Sequence, residues 1–109
     1  MKLGRTISEL RNRRGIKQKK LAQLCGVSAA YLSQIEHDKR QPTLSVLDAI
    51  SKKLHVPLPL LFFLSIDERD VPGSKRAIFT ALEPTLRSLV DQFIEGDTVQ
   101  SITGKAQAK

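Results

Sequence analysis

The sequence has almost no cysteine, histidine or tryptophan, and this scarcity excludes several kinds of site. Among its 109 residues there are one cysteine, two histidines and no tryptophan. A single cysteine cannot build a disulfide framework, so we expect a reducing compartment in which Cys25 fills core volume. Neither His37 nor His55 has metal-ligand spacing with Cys25, and the sequence therefore predicts no metal site.

A long apolar run is also missing. The most apolar stretch, 56–64, is too short to cross a bilayer, and it contains Pro57 and Pro59. The first residues, MKLGRT, have no apolar signal core. We therefore expect a soluble, cytoplasmic protein that does not associate with a membrane.

The motifs of common catalytic sites are absent as well. The sequence has no glycine-rich phosphate loop, no Cys/His cluster and no serine with a recognisable base partner. With 109 residues and 40% hydrophobic composition, it has room for one domain with a modest core. We expect no enzymatic activity and no cofactor.

Positive charge is abundant and unevenly distributed. The net charge is +7. Residues 1–55 contain twelve basic and four acidic side chains, whereas residues 56–109 contain six basic and seven acidic ones. This asymmetry assigns binding of a polyanion to the first half of the chain and leaves the second half for another task.

Residues 18–37, QKKLAQLCGVSAAYLSQIEH, have the pattern of two short helices joined by a tight turn. Apolar residues within 21–25 end at Gly26, which suits a left-handed helix end, and Ser28 can cap the next helix. A second apolar pair follows within 32–35 at helical spacing. This arrangement fits the major groove of B-DNA, and its alternative is an ordinary corner in a small helical bundle.

The wider sequence resembles a known family. Residues 15–62 read GIKQKKLAQLCGVSAAYLSQIEHDKRQPTLSVLDAISKKLHVPLPLLF, and they closely resemble the phage-repressor and Cro-like (XRE-type) helix-turn-helix family. The resemblance covers roughly 3–64, and its most specific segments are the helix start at 18–22, the turn at 26–28, the helix end at 32–36, the exit at 39–42 and the approach to the last helix at 55–57. The resemblance implies an all-α, five-helix, lambda-repressor-like DNA-binding domain that usually binds a two-fold operator as a dimer.

The second helix of this motif is the candidate recognition helix. Its candidate base-reading residues are Ser28, Ala29, Ala30, Tyr31, Ser33 and Gln34. Gln34 can bond to adenine N6 and N7, and it matches a family position that often touches bases. Ala29 and Ala30 match positions where other members carry longer polar side chains, so we expect DNA shape to contribute to recognition. Tyr31 has the alternative of packing its ring on the domain.

Basic and polar residues around the motif are candidate phosphate contacts. They are Arg11, Arg14, Lys17, Gln18, Lys19, Lys39 and Arg40. Lysines at the start of a helix are disfavoured by the helix dipole. A phosphate bound at this position would explain their presence. The resemblance implies such a contact for Gln18. Lys39 and Arg40 can clamp phosphates or reach a groove edge, and simple solvation is the alternative for all the cations.

The remaining periodicity predicts the other helices and two local features. Leu3, Ile7 and Leu10 share a face of a first helix that ends near Gly15, and a second helix covers 16–26. Asp38 stands where the family usually has glycine, and we expect it to be left-handed. A fourth helix follows its cap Thr43 and a fifth begins at Pro57. Their expected core residues are Leu44, Leu47, Ile50, Leu54, Leu58, Leu61 and Phe62.

Three further segments complete the predicted organisation. A DNA-binding domain at 1–64 precedes a linker at 65–74, a helical element at 75–95 and a disordered tail at 96–109. The helical element carries apolar residues that alternate three and four apart, namely Phe79, Leu82, Leu86, Leu89 and Phe93. We expect this seam to pair with a second subunit, which would hold two recognition helices about 34 Å apart. The alternative is that it folds back over Phe63 and Leu64.

These features together predict a dimeric, sequence-specific regulator of transcription, most simply a repressor, with double-stranded DNA as its partner. Two alternatives share the same DNA-binding mechanism. In the first, an antitoxin-type regulator, the C-terminal helix binds a partner protein. In the second, the protein controls a restriction-modification system.

Overall fold

The computed structural model describes the backbone of residues 1–107 and the side chains of these residues except Glu68 and 96–107. The described chain contains helices and no strands. Two single-turn 3-10 helices, Glu68–Asp70 and Gly73–Lys75, separate the fifth helix from the sixth. The α-helices are α1 (Leu3–Arg13), α2 (Gln18–Leu24), α3 (Ala29–Glu36), α4 (Leu44–Leu54), α5 (Leu58–Ser65) and α6 (Arg76–Gln107). The all-α prediction of five helices followed by a C-terminal helix is confirmed.

The hydrophobic core is built by all six helices. Helix α1 packs against α3 and α5, and α2 packs against α3. Burying one such aliphatic side chain stabilises the fold by about 1.5 to 3 kcal/mol. The buried hydrophobic residues are Ile7, Leu10, Leu21, Ala22, Leu32, Ile35, Leu47, Ile50, Leu54, Val56, Leu60, Leu61 and Val90.

The turn between α2 and α3 follows the predicted chemistry. Gly26 is left-handed, with φ of 70°, and the Ser28 Oγ accepts a hydrogen bond from the Tyr31 N–H at 3.0 Å. Helix α2 is shorter than predicted at both ends, because Lys17 is extended before it and Cys25 ends it. The Gly26 turn and the Ser28 cap therefore fix how the two helices meet.

Helix α4 is also capped as predicted, although one of its expected core residues is not buried. The Thr43 Oγ1 accepts from the Val46 N–H at 3.2 Å. Leu47 and Leu54 are buried, but Leu44 is 67% exposed. As the first residue of the helix, Leu44 lies at its end, away from the core. The prediction of Leu44 as a core residue was wrong.

Helix α6 folds back against the domain, which the sequence left as the alternative to pairing between subunits. It is one helix through Pro84 and packs against α5. Val90 is 2% exposed, and Leu86 and Ile94 pack on the core beside it. Phe79 lines a small cavity together with Phe63 and Leu64 of α5, among other residues. The inner side of α6 thus extends the core of the five-helix domain.

The predicted linker lies against the start of the chain. The Lys2 N–H donates to the Ser65 carbonyl at 2.7 Å, and the Lys2 Nζ lies 3.5 Å from the Asp67 Oδ2. The predicted tail, 96–109, falls on residues whose side chains lie outside the description, and its backbone is helical as far as Gln107. The segment boundaries at 64, 74 and 95 stay predictions.

Candidate nucleic-acid interface

Helix α3 presents a small, polar outer face. Leu32 and Ile35 are fully buried against the core, as the sequence predicted. Ala29, Ala30 and Gln34 are exposed. The alanine side chains leave the backbone of α3 uncovered at its N-terminal end. A DNA groove could therefore approach α3 closely at this end, and polar recognition would fall to the residues nearer its C-terminus.

Ser33 and His37 interact at the C-terminal end of α3. Ser33 is half-buried within α3, and His37, the residue that ends the helix, is exposed. The His37 Nδ1 lies 2.8 Å from the Ser33 carbonyl oxygen and 3.5 Å from its hydroxyl. Because a carbonyl oxygen only accepts, the short contact requires a proton on Nδ1. The imidazole of His37 therefore lies against Ser33.

The half-buried Tyr31 and the exposed Gln34 both contact Arg40, which follows α3 in the exit loop. The Arg40 guanidinium carbon lies 5.0 Å from the centre of the Tyr31 ring, within the range of a cation–π contact. One guanidinium nitrogen, Nη1, donates to the Gln34 Oε1 at 3.4 Å. These three side chains thus lie together at the edge of the predicted recognition surface.

Arg11, a predicted phosphate contact, is instead part of an internal ion pair. Its Nε and Nη2 donate to the two carboxylate oxygens of Glu36 at 2.7 and 3.0 Å, and its Nη1 donates to the Ile16 carbonyl at 2.8 Å. Only 11% of the Arg11 side chain and 4% of the Glu36 side chain are exposed. The Gln18 Nε2 also donates to the Glu36 Oε1 at 3.1 Å. Glu36, which the sequence did not single out, therefore connects α1, α2 and α3.

Arg14 likewise differs from the phosphate contact that the sequence predicted. Its Nε donates to the Leu54 carbonyl at 2.8 Å, and its Nη2 donates to the His55 carbonyl at 3.3 Å. Bonds to the Phe93 and Ile94 carbonyls, at 2.8 and 3.3 Å, reach α6. A cation at the C-terminus of α4 is favoured by the helix dipole. Arg14 thus joins α4 and α6 to the end of α1.

The other predicted phosphate contacts lie on the surface around α3, the predicted recognition helix. The bond from Gln18 to Glu36 places the N-terminus of α2 beside the C-terminal end of α3. Lys17 and Lys19 are exposed at that N-terminus, and Lys39 is exposed just beyond α3. Among the described side chains, none of these three lysines has a carboxylate at ion-pair distance. Their charges are therefore available to an external anion.

Asp38 has a structural function that the sequence did not reveal. It is left-handed, with φ of 56°, and its Oδ1 accepts from the Gly4 N–H in the first turn of α1 at 2.9 Å. A side chain at Gly4 would clash with the Ile35 carbonyl and lie 2.7 Å from the Asp38 Oδ1. The close approach of α1 to the end of α3 therefore requires glycine at position 4. Only the left-handed backbone of Asp38 could be predicted from local sequence.

The predicted dimerisation seam divides into two faces. Phe79 and Leu86 belong to the side of α6 that packs on its own domain. Leu82, Leu89 and Phe93 are 51%, 41% and 42% exposed, and they continue toward the exposed Ile78. The alternation of three and four residues did not separate these faces, because the two stripes are adjacent on the helix.

Three other kinds of interaction, with a metal ion, through a reactive thiol and with a bilayer, have little support in the described part of the chain. There, His, Cys, Asp and Glu form no group of three or more that could hold a metal ion. Burial raises the pKa of the Cys25 thiol, and the nearby Lys53 opposes this effect. A raised pKa disfavours the reactive thiolate. Within the residues described, no helix combines the length and apolar character needed to span a bilayer.

Several known proteins resemble this chain. A helix-turn-helix family model matches residues 7–61. The HTH-type transcriptional regulator RamB of Mycobacterium tuberculosis (strain ATCC 25618 / H37Rv) is 34% identical over 106 residues, which are 97% of this chain and 22% of RamB. The ImmF control region 10 kDa protein of Bacillus phage phi105 is 31% identical over 85 residues, which are 78% of this chain and 94% of that protein. The chain thus spans less than a quarter of RamB but nearly all of the phage protein.

A solved structure has a similar fold. The clp gene regulator ClgR from Corynebacterium glutamicum matches with a TM-score of 0.57, over 80% of this chain and 85% of ClgR. The identity is 22%, so this likeness concerns the fold alone. It covers more of the chain than the family model, which ends within α5.

Proposed function

The chain belongs to the XRE-type helix-turn-helix family of DNA-binding transcriptional regulators, and we propose that it is a sequence-specific repressor that binds a two-fold operator as a homodimer. The observation that carries this proposal is the outer face of α3. Small and polar side chains lie outward there, while Leu32 and Ile35 anchor the helix to the core. A helix anchored in this way can enter the major groove without losing core contacts.

Exposed cations on both sides of α3 would hold the DNA backbone. Lys17 and Lys19 lie at the start of α2, and Lys39 lies beyond the end of α3. Gln18 contacts Glu36 through its Nε2 and keeps its Oε1 for other partners. The donors of Arg11 and Arg14 bond to Glu36 and to backbone carbonyls within the domain, so the DNA backbone contacts proposed here are those of the exposed lysines and Gln18.

Homodimerisation is proposed to use the exposed stripe of α6, which we define as Ile78, Leu82, Leu89 and Phe93. Each of these side chains is at least 41% exposed in the single chain. An apolar stripe of this kind is stabilised when a second surface covers it. Pairing the same stripe of two copies would generate a two-fold axis, and with it an operator of two half-sites.

DNA binding can be tested by fluorescence anisotropy with the duplex upstream of the protein's own gene and with a scrambled duplex of equal length. We expect a preference of about 10³-fold or more for the native duplex at physiological salt. The logarithm of affinity should fall steeply with the logarithm of salt concentration, because phosphate contacts release counterions. Equal and weak binding to both duplexes would contradict recognition of this operator.

Repression is a separate claim and needs its own measurement. A reporter gene placed behind the bound duplex should be expressed less when the full chain is present. The Gln34→Ala variant, which alters only an exposed side chain of α3, should restore part of that expression. Increased reporter expression in the presence of the wild-type protein would indicate an activator.

A further inference from the structure

Arg40 is exposed, and its guanidinium contacts two side chains of α3. The Tyr31 ring lies under its guanidinium at 5.0 Å, and the Gln34 Oε1 accepts from its Nη1 at 3.4 Å. Tyr31 and Gln34 belong to α3, whereas Arg40 lies beyond the helix in the exit loop. These contacts direct the guanidinium toward the outer face of α3. A side chain that only neutralised a phosphate would not need this arrangement.

The hydrogen bond from Arg40 changes what Gln34 can offer to a base. A free amide presents one acceptor and one donor side by side, which matches N6 and N7 of adenine. Here the Gln34 Oε1 accepts from Arg40, which occupies one of its two lone pairs and joins the amide to the guanidinium. Arginine has no acceptor at all. The guanidinium donors that do not bond to Gln34 therefore remain for the DNA.

Only one base edge in the major groove suits a pair of donors. Guanine presents two neighbouring acceptors, N7 and O6, whereas adenine presents an acceptor beside a donor. The planar fork of arginine matches the guanine edge with two parallel hydrogen bonds. An adenine in the same place would bring its N6 donor against an arginine donor. The arrangement therefore discriminates between the two purines.

We propose that Arg40 reads a guanine in the major groove of each half-site, with Tyr31 and Gln34 as the residues that position it. This inference rests on the proposed function and changes its details, because it replaces the adenine contact expected for Gln34. Gln34 acts here through Arg40. The ring face of Tyr31, and not its hydroxyl, supports the guanidinium.

The test is selection of preferred sequences from a randomised duplex library by the full chain and its variants. The wild-type protein should enrich one guanine per half-site. Arg40→Lys keeps the positive charge but removes the fork, so it should lose about 5- to 150-fold of the preference for guanine, as one bidentate contact supplies. Its salt dependence should stay close to that of the wild type, because the charge is unchanged.

Four matched variants at three positions separate base reading from other roles. Lys39→Ala removes a neighbouring exposed cation, and it should weaken binding to all sequences equally while lowering the salt slope by about one. Tyr31→Phe keeps the ring face and should keep the preference for guanine, whereas Tyr31→Leu should reduce it. Gln34→Ala should reduce the preference at the same base pair that Arg40→Lys affects.

Two results would overturn the inference while leaving the proposed function intact. One is that Arg40→Lys selects the same bases as the wild type, which would make Arg40 a phosphate contact. The other is that Gln34→Ala changes an adenine position that Arg40→Lys does not affect. If the wild type instead selects no sequence, the proposed function itself fails.

Discussion

The Arg11 guanidinium and the Glu36 carboxylate form a two-point ion pair between α1 and the end of α3, with N–O distances of 2.7 and 3.0 Å. Both side chains are almost completely removed from solvent. Two parallel bonds fix the carboxylate plane, and Gln18 adds a third donor from α2. The pair therefore sets the position of α3 relative to the two helices before it.

Replacing Glu36 with alanine should strongly destabilise the domain. The change leaves the buried Arg11 charge without its carboxylate, which typically costs about 3 to 5 kcal/mol. The free energy of unfolding from urea denaturation measures the effect. In contrast, Glu83→Ala removes the partner of Arg87 at an exposed site, and it should change stability by less than about 1 kcal/mol.

A double variant tests whether the loss arises from the unpaired charge. Arg11→Met combined with Glu36→Leu removes both charges and keeps similar volume, so it should recover much of the stability lost in Glu36→Ala. If Glu36→Ala is as mild as Glu83→Ala, the pair does not stabilise the domain in solution.

Much of the fold follows from features that are local in the sequence. Gly26 and Ser28 determine the turn between α2 and α3 through their own backbone angle and side-chain bond. Thr43 caps α4 in the same way. Helical spacing then assigns Leu32 and Ile35 to the core. Each of these signals involves residues within one or two helical turns, so a single sequence contains them.

Other features depend on residues far apart in the chain, and no local pattern encodes them. Glu36 pairs with a residue 25 positions away, and Asp38 bonds to one 34 positions away. A count of charges treats Arg11 as one more surface cation, although the fold buries it. In α6, periodicity detects an apolar helix but not which side meets α5. These distinctions decide which residues remain exposed for the proposed contacts.

Substitutions of Asp38 should separate its backbone conformation from its capping bond. Asp38→Asn can keep both, so it should change stability little. Asp38→Gly loses the bond to Gly4, a loss of about 1 kcal/mol for a helix cap, but it relieves the left-handed backbone. Asp38→Ala loses the bond and keeps the unfavourable conformation, which costs about 1 to 2 kcal/mol in addition.

The expected order of stability is therefore wild type and Asp38→Asn first, then Asp38→Gly, then Asp38→Ala. Thermal unfolding followed by circular dichroism would establish the order. An alanine variant as stable as the glycine variant would show that position 38 does not hold the left-handed conformation in solution.

The region near Asp67 should make stability depend on pH in the acid range. The hydrogen bond from the Arg69 side chain, assisted by the backbone N–H of Arg69 and by Lys2, lowers the pKa of Asp67 to about 2 from 3.8. Since the pKa of Asp67 is lower in the folded than in the unfolded chain, the contribution of this carboxylate to stability is complete above pH 3.8 and is lost as pH falls toward 2.

Asp67→Asn should lack this contribution at neutral pH, and urea titrations from pH 7 to pH 2 would measure the difference. A variant whose stability stays below that of the wild type by the same amount at pH 2 would contradict this origin.

Neighbouring residues of α6 should have opposite effects on assembly and folding. Leu89 is 41% exposed and belongs to the proposed interface, whereas Val90 is 2% exposed and packs on the core of its own domain. Leu89→Asp should therefore yield a folded monomer, because a charge at a buried apolar interface is costly but a charge on an exposed surface is not. Val90→Asp should unfold or loosen the chain.

Sedimentation velocity and circular dichroism distinguish these results, and loss of the two-fold operator preference should accompany monomer formation. If Leu89→Asp still sediments as a dimer, the two copies meet elsewhere; if the wild type is a monomer that co-purifies with a different protein, the stripe binds that partner, as in the antitoxin alternative.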